Sequence, residues 1–126
     1  MNIYQVNKRV LIIKVPKSLT AIDELSFRQA FKSICESKIP PVKVILDFSR
    51  TSFLDSSGIG ALASIIKTSK IADINLMITG VTSQVYSVLK MTKLDQLISI
   101  QTSWDINSET ATKVSSDSFQ SAALVS

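Results

Sequence analysis

The chain has no histidine, one cysteine and only three glycines and three prolines among its 126 residues. Histidine is the usual general base for a serine or cysteine nucleophile and the commonest metal ligand, so its absence argues against hydrolases and zinc sites. The single cysteine, Cys35, excludes an internal disulfide and is typical of a reducing compartment. We predict that Cys35 is a small core residue on a helix.

Long apolar runs are also missing. No stretch approaches the roughly 20 apolar residues of a membrane-spanning helix, and the first residues do not have the pattern of a signal peptide. The fourteen basic residues, which give a net charge of +4, are scattered and do not alternate with aromatic residues. This distribution favours a solvated surface over a nucleic-acid site. We therefore expect a cytoplasmic protein with no membrane and no nucleic-acid partner.

The length and the hydrophobic content of 45% fit one globular domain. Apolar periodicity predicts the element order β-β-α-β-α-β-α-β-α. The first two strands are close enough for a hairpin, and helices separate the later ones. This pattern predicts an α/β fold with a mixed, mostly parallel sheet of four to five strands and about four helices.

The domain is predicted to cover residues 1–112. Thr20 is expected to cap the first helix, and a last helix is expected over 104–112. Residues 113–126 are rich in serine and lack periodicity, so we predict a flexible tail there.

The most informative segment is 47–62, which predicts a buried strand, a polar loop and the start of a helix. Asp55, Ser56 and Ser57 are all good N-cap candidates. An exposed serine at the start of a helix is also a place where added negative charge is favoured. The local chemistry therefore fits either a plain helix cap or a phosphorylation site.

The segment from Gly58 to Ala63 also matches the G-x-G-x-x-A pattern of dinucleotide-binding folds. The chain is too short for the full two-halved fold, and the strand over 74–79 is not followed by the acidic residue that contacts the ribose. We expect instead that Gly58 lets the loop close tightly and that Gly60 lets the helix approach the sheet. No cofactor and no metal are predicted.

The ten residues Phe53-Leu54-Asp55-Ser56-Ser57-Gly58-Ile59-Gly60-Ala61-Leu62 resemble the signature of STAS domains, the anti-sigma factor antagonists of bacteria. The resemblance extends more weakly over residues 3–112 and includes Leu94-Asp95-Gln96-Leu97. It implies a signalling regulator that is not an enzyme and that binds a serine-kinase anti-sigma factor or a related switch kinase. It also implies phosphorylation of Ser56, with Ser57 as the alternative acceptor, and a phosphoserine phosphatase that resets the switch.

The resemblance and the loop position together suggest a partner-binding surface, and the protein is expected to be a monomer or a weak dimer. Its predicted members are Arg50, Thr51, Ser52, Asp55, Ser57, Gly58, Ile59 and Ile65. Ile65 fits two placements, one packed on the side of the helix and one exposed to a partner. Asp55 fits three roles: positioning the serine hydroxyl, helping to bind the metal of a kinase, or capping the helix.

One residue departs from the family pattern. Thr20, after Leu19, stands where family members often carry an acidic residue, which puts any contact of that carboxylate in doubt. Two other functions stay open. The domain could be a scaffold that uses the same helix surface without phosphorylation, or an enzyme in which Ser56 is a nucleophile paired with a lysine.

Overall fold

A computed structural model describes residues 2–101 and the backbone of residues 112–114. The strands are β1 (Asn2–Asn7), β2 (Val10–Lys14), β3 (Ser18–Leu19), β4 (Lys43–Asp47), β5 (Phe53–Leu54), β6 (Asn75–Thr79), β7 (Ser99–Gln101) and β8 (Thr112–Val114). The α-helices are α1 (Ala21–Cys35), α2 (Ser56–Ile71) and α3 (Ser83–Met91), and a 3₁₀ turn covers Leu94–Gln96.

The main sheet has six strands in the order β7-β6-β4-β2-β1-β8. The pairs β2–β4, β4–β6 and β6–β7 are parallel, and β1 is antiparallel to both β2 and β8. The predicted α/β class with a mixed, mostly parallel sheet is therefore confirmed. The antiparallel edge also lies where the predicted hairpin placed it, because two adjacent strands need only a short turn to pair in this way.

The C-terminal end of the domain differs from the prediction. The predicted boundary at residue 113 falls inside β8, whose backbone pairs with Ile3, Tyr4 and Gln5 of β1. An edge strand offers unpaired backbone groups, and β8 covers those of β1. The predicted helix over 104–112 lies outside the described residues except for Thr112, which begins β8. The rest of the predicted tail lies outside them as well.

The large hydrophobic core lies between the helices and one face of the sheet. Alternate strand residues point into it, as the two-residue period of a strand requires. Its buried members include Leu11, Ile13, Val44, Leu46, Ile78, Phe27, Phe31 and Leu62. Ile12, Ile45 and Met77 alternate with these strand residues and form a smaller cluster. The sheet is therefore apolar on both faces, as is usual for parallel strands.

A second, two-stranded sheet lies beside the start of α2. It consists of β3 and β5, which pair in parallel and have two residues each. Neither strand was predicted, since two residues are too few to show a periodic pattern. This small sheet holds the chain that leads from the carboxyl end of β4 into α2.

Candidate functional site

Asp55 is the N-terminal cap of α2, and its carboxylate also reaches the start of α1. The Oδ1 atom accepts the Gly58 N–H at 2.8 Å, and the Oδ2 atom accepts the Ala21 N–H at 3.3 Å. The first N–H groups of a helix have no partner within the helix, so one carboxylate satisfies donors of two helices. Of the three roles open to Asp55, the geometry supports the capping role.

Thr20 caps α1, as predicted. Its Oγ1 atom accepts the Ile22 N–H at 3.3 Å. Although Thr20 carries no charge, the start of α1 still has a carboxylate beside it, because Asp55 contacts the neighbouring Ala21. A negative charge at this end of a helix is favourable. The helix starts of α1 and α2 are thus joined through one side chain.

The start of α2 is held closely against the small sheet. The Asp55 N–H donates to the Leu19 carbonyl at 3.3 Å. Gly58 packs against the same carbonyl, and a Cβ atom at this position would overlap its oxygen. Gly58 therefore permits the close approach of the helix to β3, whereas the sequence predicted only that it lets the loop close tightly. The prediction for Gly60 is wrong, because Gly60 is exposed and a Cβ atom there would meet nothing within 4 Å.

Ser56 is the first residue of α2 and is exposed to solvent. Within the described part of the chain, no hydrogen bond engages its hydroxyl group. The cap is supplied by Asp55, so Ser56 is free of the capping role that the sequence left open. Ser57 is partly buried. A modifying enzyme would therefore reach Ser56 more easily than Ser57.

Three residues predicted for the partner-binding surface are buried instead. Thr51 has no exposed surface, and its Oγ1 atom donates to the carbonyls of Val15 and Pro16 at 3.3 and 2.9 Å. Ile65 is 2% exposed and packs in the large core, which decides between its two predicted placements. Gly58 is buried against β3. These residues support the surface from beneath and are not available as contacts.

The other predicted members reach the surface. Arg50 and Ser52 are exposed, and Asp55, Ser57 and Ile59 are partly exposed. Ser52 is anchored to the small sheet, since its backbone N–H donates to the Lys17 carbonyl at 2.9 Å. The exposed loop before α2 is therefore fixed in place on the domain.

Three large apolar residues near this surface were not predicted from the sequence. Ile22 is 91% exposed, Leu25 is 57% exposed and Phe53 is 51% exposed. Ile22 and Leu25 lie three residues apart on α1, out of phase with the buried stripe that begins at Phe27. This phase was readable from the sequence, because apolar residues away from the core-facing stripe of a helix point to solvent.

The backbone connects these apolar residues to Ser56. Ile22 follows Ala21, which contacts the carboxylate of Asp55, the residue before Ser56. Phe53 precedes Ser56 by three residues, in β5. The exposed serine thus lies at a surface that also presents apolar side chains from α1 and β5.

Within residues 2–101 and 112–114, no group of three or more cysteine, aspartate or glutamate side chains could hold a metal ion. In the same part, no helix has the length and apolar character needed to cross a membrane.

The order of the elements and the Asp-Ser-Ser-Gly helix start define an α/β domain with an exposed serine at the first position of α2. The chain belongs to the STAS domain family, which matches residues 3–107. This match covers the helix that begins at Ser56 and the sheet apart from β8, so the resemblance seen in the short motif extends over most of the described domain.

Solved structures with the same fold come from two kinds of protein. An anti-sigma factor antagonist from Mycobacterium paratuberculosis is 15% identical, with a TM-score of 0.67 over 87% of this chain and 89% of that chain. The phosphorylated Bacillus cell fate determinant SpoIIAA is 16% identical, with a TM-score of 0.62 over 84% and 94%. The STAS domain of a SulP transporter from Vibrio cholerae is 17% identical, with a TM-score of 0.65 over 78% and 77%. At these identities the likeness concerns the fold.

Proposed function

We propose that this protein is a cytoplasmic regulator of the anti-sigma factor antagonist type. In its unmodified form it binds a partner that is both a serine kinase and an anti-sigma factor, or a related switch kinase. The partner phosphorylates Ser56 and is thereby released, and a phosphoserine phosphatase restores the unmodified form. The observation that carries this proposal is the exposed, unengaged Ser56 hydroxyl at the first position of α2.

The location of Ser56 suits a modification that leaves the domain folded. A phosphoserine adds about 1.5 to 2 negative charges at neutral pH. The start of a helix favours negative charge by up to about 2 kcal/mol. Asp55 opposes this effect in part, because its carboxylate is already bound at the same helix start. The phosphate would be exposed to water, so its cost to the fold is small.

The same added charge has a large effect on the binding free energy of a protein–protein interface. A hundredfold loss of affinity requires only about 2.8 kcal/mol. A charge left unpaired in a docked interface costs several kcal/mol. A partner that covers Ser56 would also reach the exposed apolar side chains of Ile22, beside the Ala21–Asp55 hydrogen bond, and of Phe53 in β5. We infer that the partner presents a complementary apolar surface whose packing a phosphate would disturb.

In this role the protein does no chemistry of its own. Ser56 is the substrate of the partner kinase, which supplies the nucleotide and the metal. Arg50 and Ser52 lie on the exposed loop before α2 and would contact the partner beside Ser56. Ser57 and Ile59 would form the partly buried floor of the same contact.

The test is a kinase reaction with three forms of the full chain: the original sequence, Ser56→Ala and Ser57→Ala. Each is incubated with ATP and the serine kinase encoded beside its gene, and the phosphate is located by mass spectrometry. We expect phosphate on Ser56 in the original chain and in Ser57→Ala, and none in Ser56→Ala. Modification that persists in Ser56→Ala, or none in any form, contradicts the proposal.

A second candidate is a scaffold module that uses this surface for assembly without phosphorylation. The exposed apolar residues Ile22, Leu25 and Phe53 favour it, and so does the likeness in fold to the STAS domain of a transporter. Light scattering separates the two candidates. A discrete oligomer that is unchanged by Ser56→Asp supports the scaffold, and a monomer whose kinase binding is lost on Ser56→Asp supports the switch.

A further inference from the structure

A small cavity opens where β2 leaves the main sheet, on the side of the loop that follows β4. Its volume is about 240 Å³, and its lining residues are Asn2, Lys14, Val15, Pro16, Lys17 and Arg50. Three of these six residues are cations, and none is an acid. When side chains of one charge sign line a concave surface, they strengthen the electrostatic potential there and attract counter-ions.

The three cations have no ion-pair partners within the described part of the chain. The ion pairs found there are Glu24–Arg28 and Lys32–Glu36, both on or next to α1. The ammonium group of Lys14 lies 4.9 Å from the centre of the Tyr4 ring, which stabilises the cation without neutralising it.

The acidic residue that pairs with Lys14 in the sheet does not line the cavity. Asp47 lies opposite Lys14 on β4, but it is buried and is not part of the cavity lining. Its Oδ1 atom accepts the Ser49 N–H at 2.9 Å. The positive potential of the cavity is therefore not cancelled by a carboxylate in its lining.

The cavity is held open by the contacts of two backbone segments. Buried Thr51 donates its hydroxyl group to the carbonyls of Val15 and Pro16. The Ser52 N–H donates to the Lys17 carbonyl at 2.9 Å. Because these bonds join the segment 15–17 to the loop that carries Arg50, the cations from the two segments stay close in the absence of any ligand.

We propose that this cavity binds a phosphate-class anion, either inorganic phosphate or the phosphate group of a small phosphate ester. A guanidinium group can donate two parallel hydrogen bonds to such an anion, and ammonium groups add charge without fixed direction. The volume is below the roughly 300 to 1,000 Å³ of typical small-molecule sites, so it fits a phosphate group better than a whole nucleotide. Arg50 and Lys17 are exposed and bind the anion from the cavity mouth, and Lys14 is partly buried.

The site is independent of the proposed phosphorylation of Ser56. Of the cavity-lining residues, Arg50 also belongs to the proposed partner contact, and the anion arrives from solution. Anion binding needs no kinase. The two proposals can therefore fail separately.

The test is a titration of the full chain, labelled with ¹⁵N, followed by backbone amide shifts. The titrants are inorganic phosphate, glycerol phosphate and sodium chloride at equal ionic strength. We expect saturable shifts at Lys17 and Arg50 with phosphate and none with chloride. A tighter midpoint with glycerol phosphate identifies an ester as the ligand, and a tighter midpoint with inorganic phosphate identifies the free ion.

The variants Lys17→Gln and Arg50→Gln each remove one charge from the mouth of the cavity. Each should weaken phosphate binding by about tenfold, which corresponds to about 1.4 kcal/mol. Lys67→Gln is the matched control, because it removes one charge from the exposed face of α2 and should leave the midpoint unchanged. Dispersed spectra of all three variants verify that they fold. Shifts that do not saturate, or that the control variant weakens equally, overturn the proposal.

Discussion

The α-carbon of Gly58 lies against the carbonyl oxygen of Leu19, and no side chain fits between them. The same carbonyl accepts the Asp55 N–H, so the loop and the helix start are docked on β3 at one point. This contact fixes the direction in which α2 leaves the small sheet. It therefore also fixes where the hydroxyl group of Ser56 is presented.

Gly58→Ala should destabilise the domain strongly, because the new methyl group would overlap backbone that cannot move aside. We expect a loss of about 3 kcal/mol, the upper part of the range for overpacking. Gly60→Ala is the matched control in the same helix. It has open space around it and should raise the free energy of unfolding by about 1 kcal/mol through helix propensity. Urea unfolding measures both, and equal effects of the two changes would contradict the proposed contact.

Asp55→Ala should cost more than the loss of an ordinary helix cap. It removes an acceptor from the start of α2 and another from the start of α1. Thr82→Ala is the comparison, because Thr82 caps only α3 through the Val85 N–H. We expect about 2 to 3 kcal/mol for Asp55→Ala and about 1 kcal/mol for Thr82→Ala, measured by thermal unfolding. Similar costs would mean that the contact with α1 contributes little.

Thr51→Val should destabilise the loop before α2, although it conserves shape. The hydroxyl group donates to two carbonyls, those of Val15 and Pro16, and the change leaves these acceptors without it. The expected loss is about 1 to 3 kcal/mol. Thr51→Ser keeps the hydroxyl group and should recover most of this loss. If the valine variant is as stable as the original chain and the serine variant is not, packing of the methyl group and not hydrogen bonding holds the loop.

Ser56→Asp should leave the domain folded and slightly more stable. The new charge lies at the first position of α2, where the helix start favours it by about 0.3 to 1 kcal/mol. Ser87→Asp is the control, because Ser87 is an exposed residue in the middle of α3 and lacks this benefit. Melting temperatures at low salt give the comparison. A marked loss of stability in Ser56→Asp would rule out a phosphate at this position as a switch that spares the fold.

Cys35 should react slowly with alkylating reagents. Burial, together with the charge of Glu36, raises the pKa of its thiol from 9.0 to about 11. At pH 8 the thiolate fraction should therefore be about 100-fold lower than in the unfolded chain, since each pKa unit is a factor of ten. Iodoacetamide labelling with and without urea measures the ratio. Labelling at equal rates in the two states would show that the thiol is not shielded.

The raised pKa of Cys35 also makes the stability of the folded domain depend on pH. The thiol of the unfolded chain loses its proton from about pH 9, whereas that of the folded chain keeps it until about pH 11. The stabilising contribution of the neutral thiol is present below pH 9 and is lost as the pH rises toward 11. Cys35→Ala should remove the part of the stability loss between about pH 9 and pH 11 that comes from this thiol.

Most of the fold followed from local patterns. The apolar periods of β2, β4 and α1 identify these elements, and the Asp-Ser-Ser-Gly segment identifies the start of α2. Patterns of this kind are local, because a helix or strand must turn a regular set of apolar residues toward a core. The two-residue strands β3 and β5 have no such pattern. They form because backbone groups from distant parts of the chain meet.

The candidate site was predicted only in outline. The sequence placed Ser56 at the start of a helix, but it assigned Thr51 and Ile65 to a surface that both residues lie beneath. Whether a polar residue is exposed depends on which carbonyls lie across from it, and Thr51 meets two carbonyls that are 36 and 35 residues away along the chain.

By itself the sequence determined the α/β class and the serine at the start of α2. Tertiary structure alone decided that Asp55 caps two helices, that Gly60 faces open solvent, and that Lys14, Lys17 and Arg50 surround one cavity. The physical reason is distance along the chain. Periodicity and capping act between residues a few positions apart, whereas these three results depend on contacts between segments that only folding brings together.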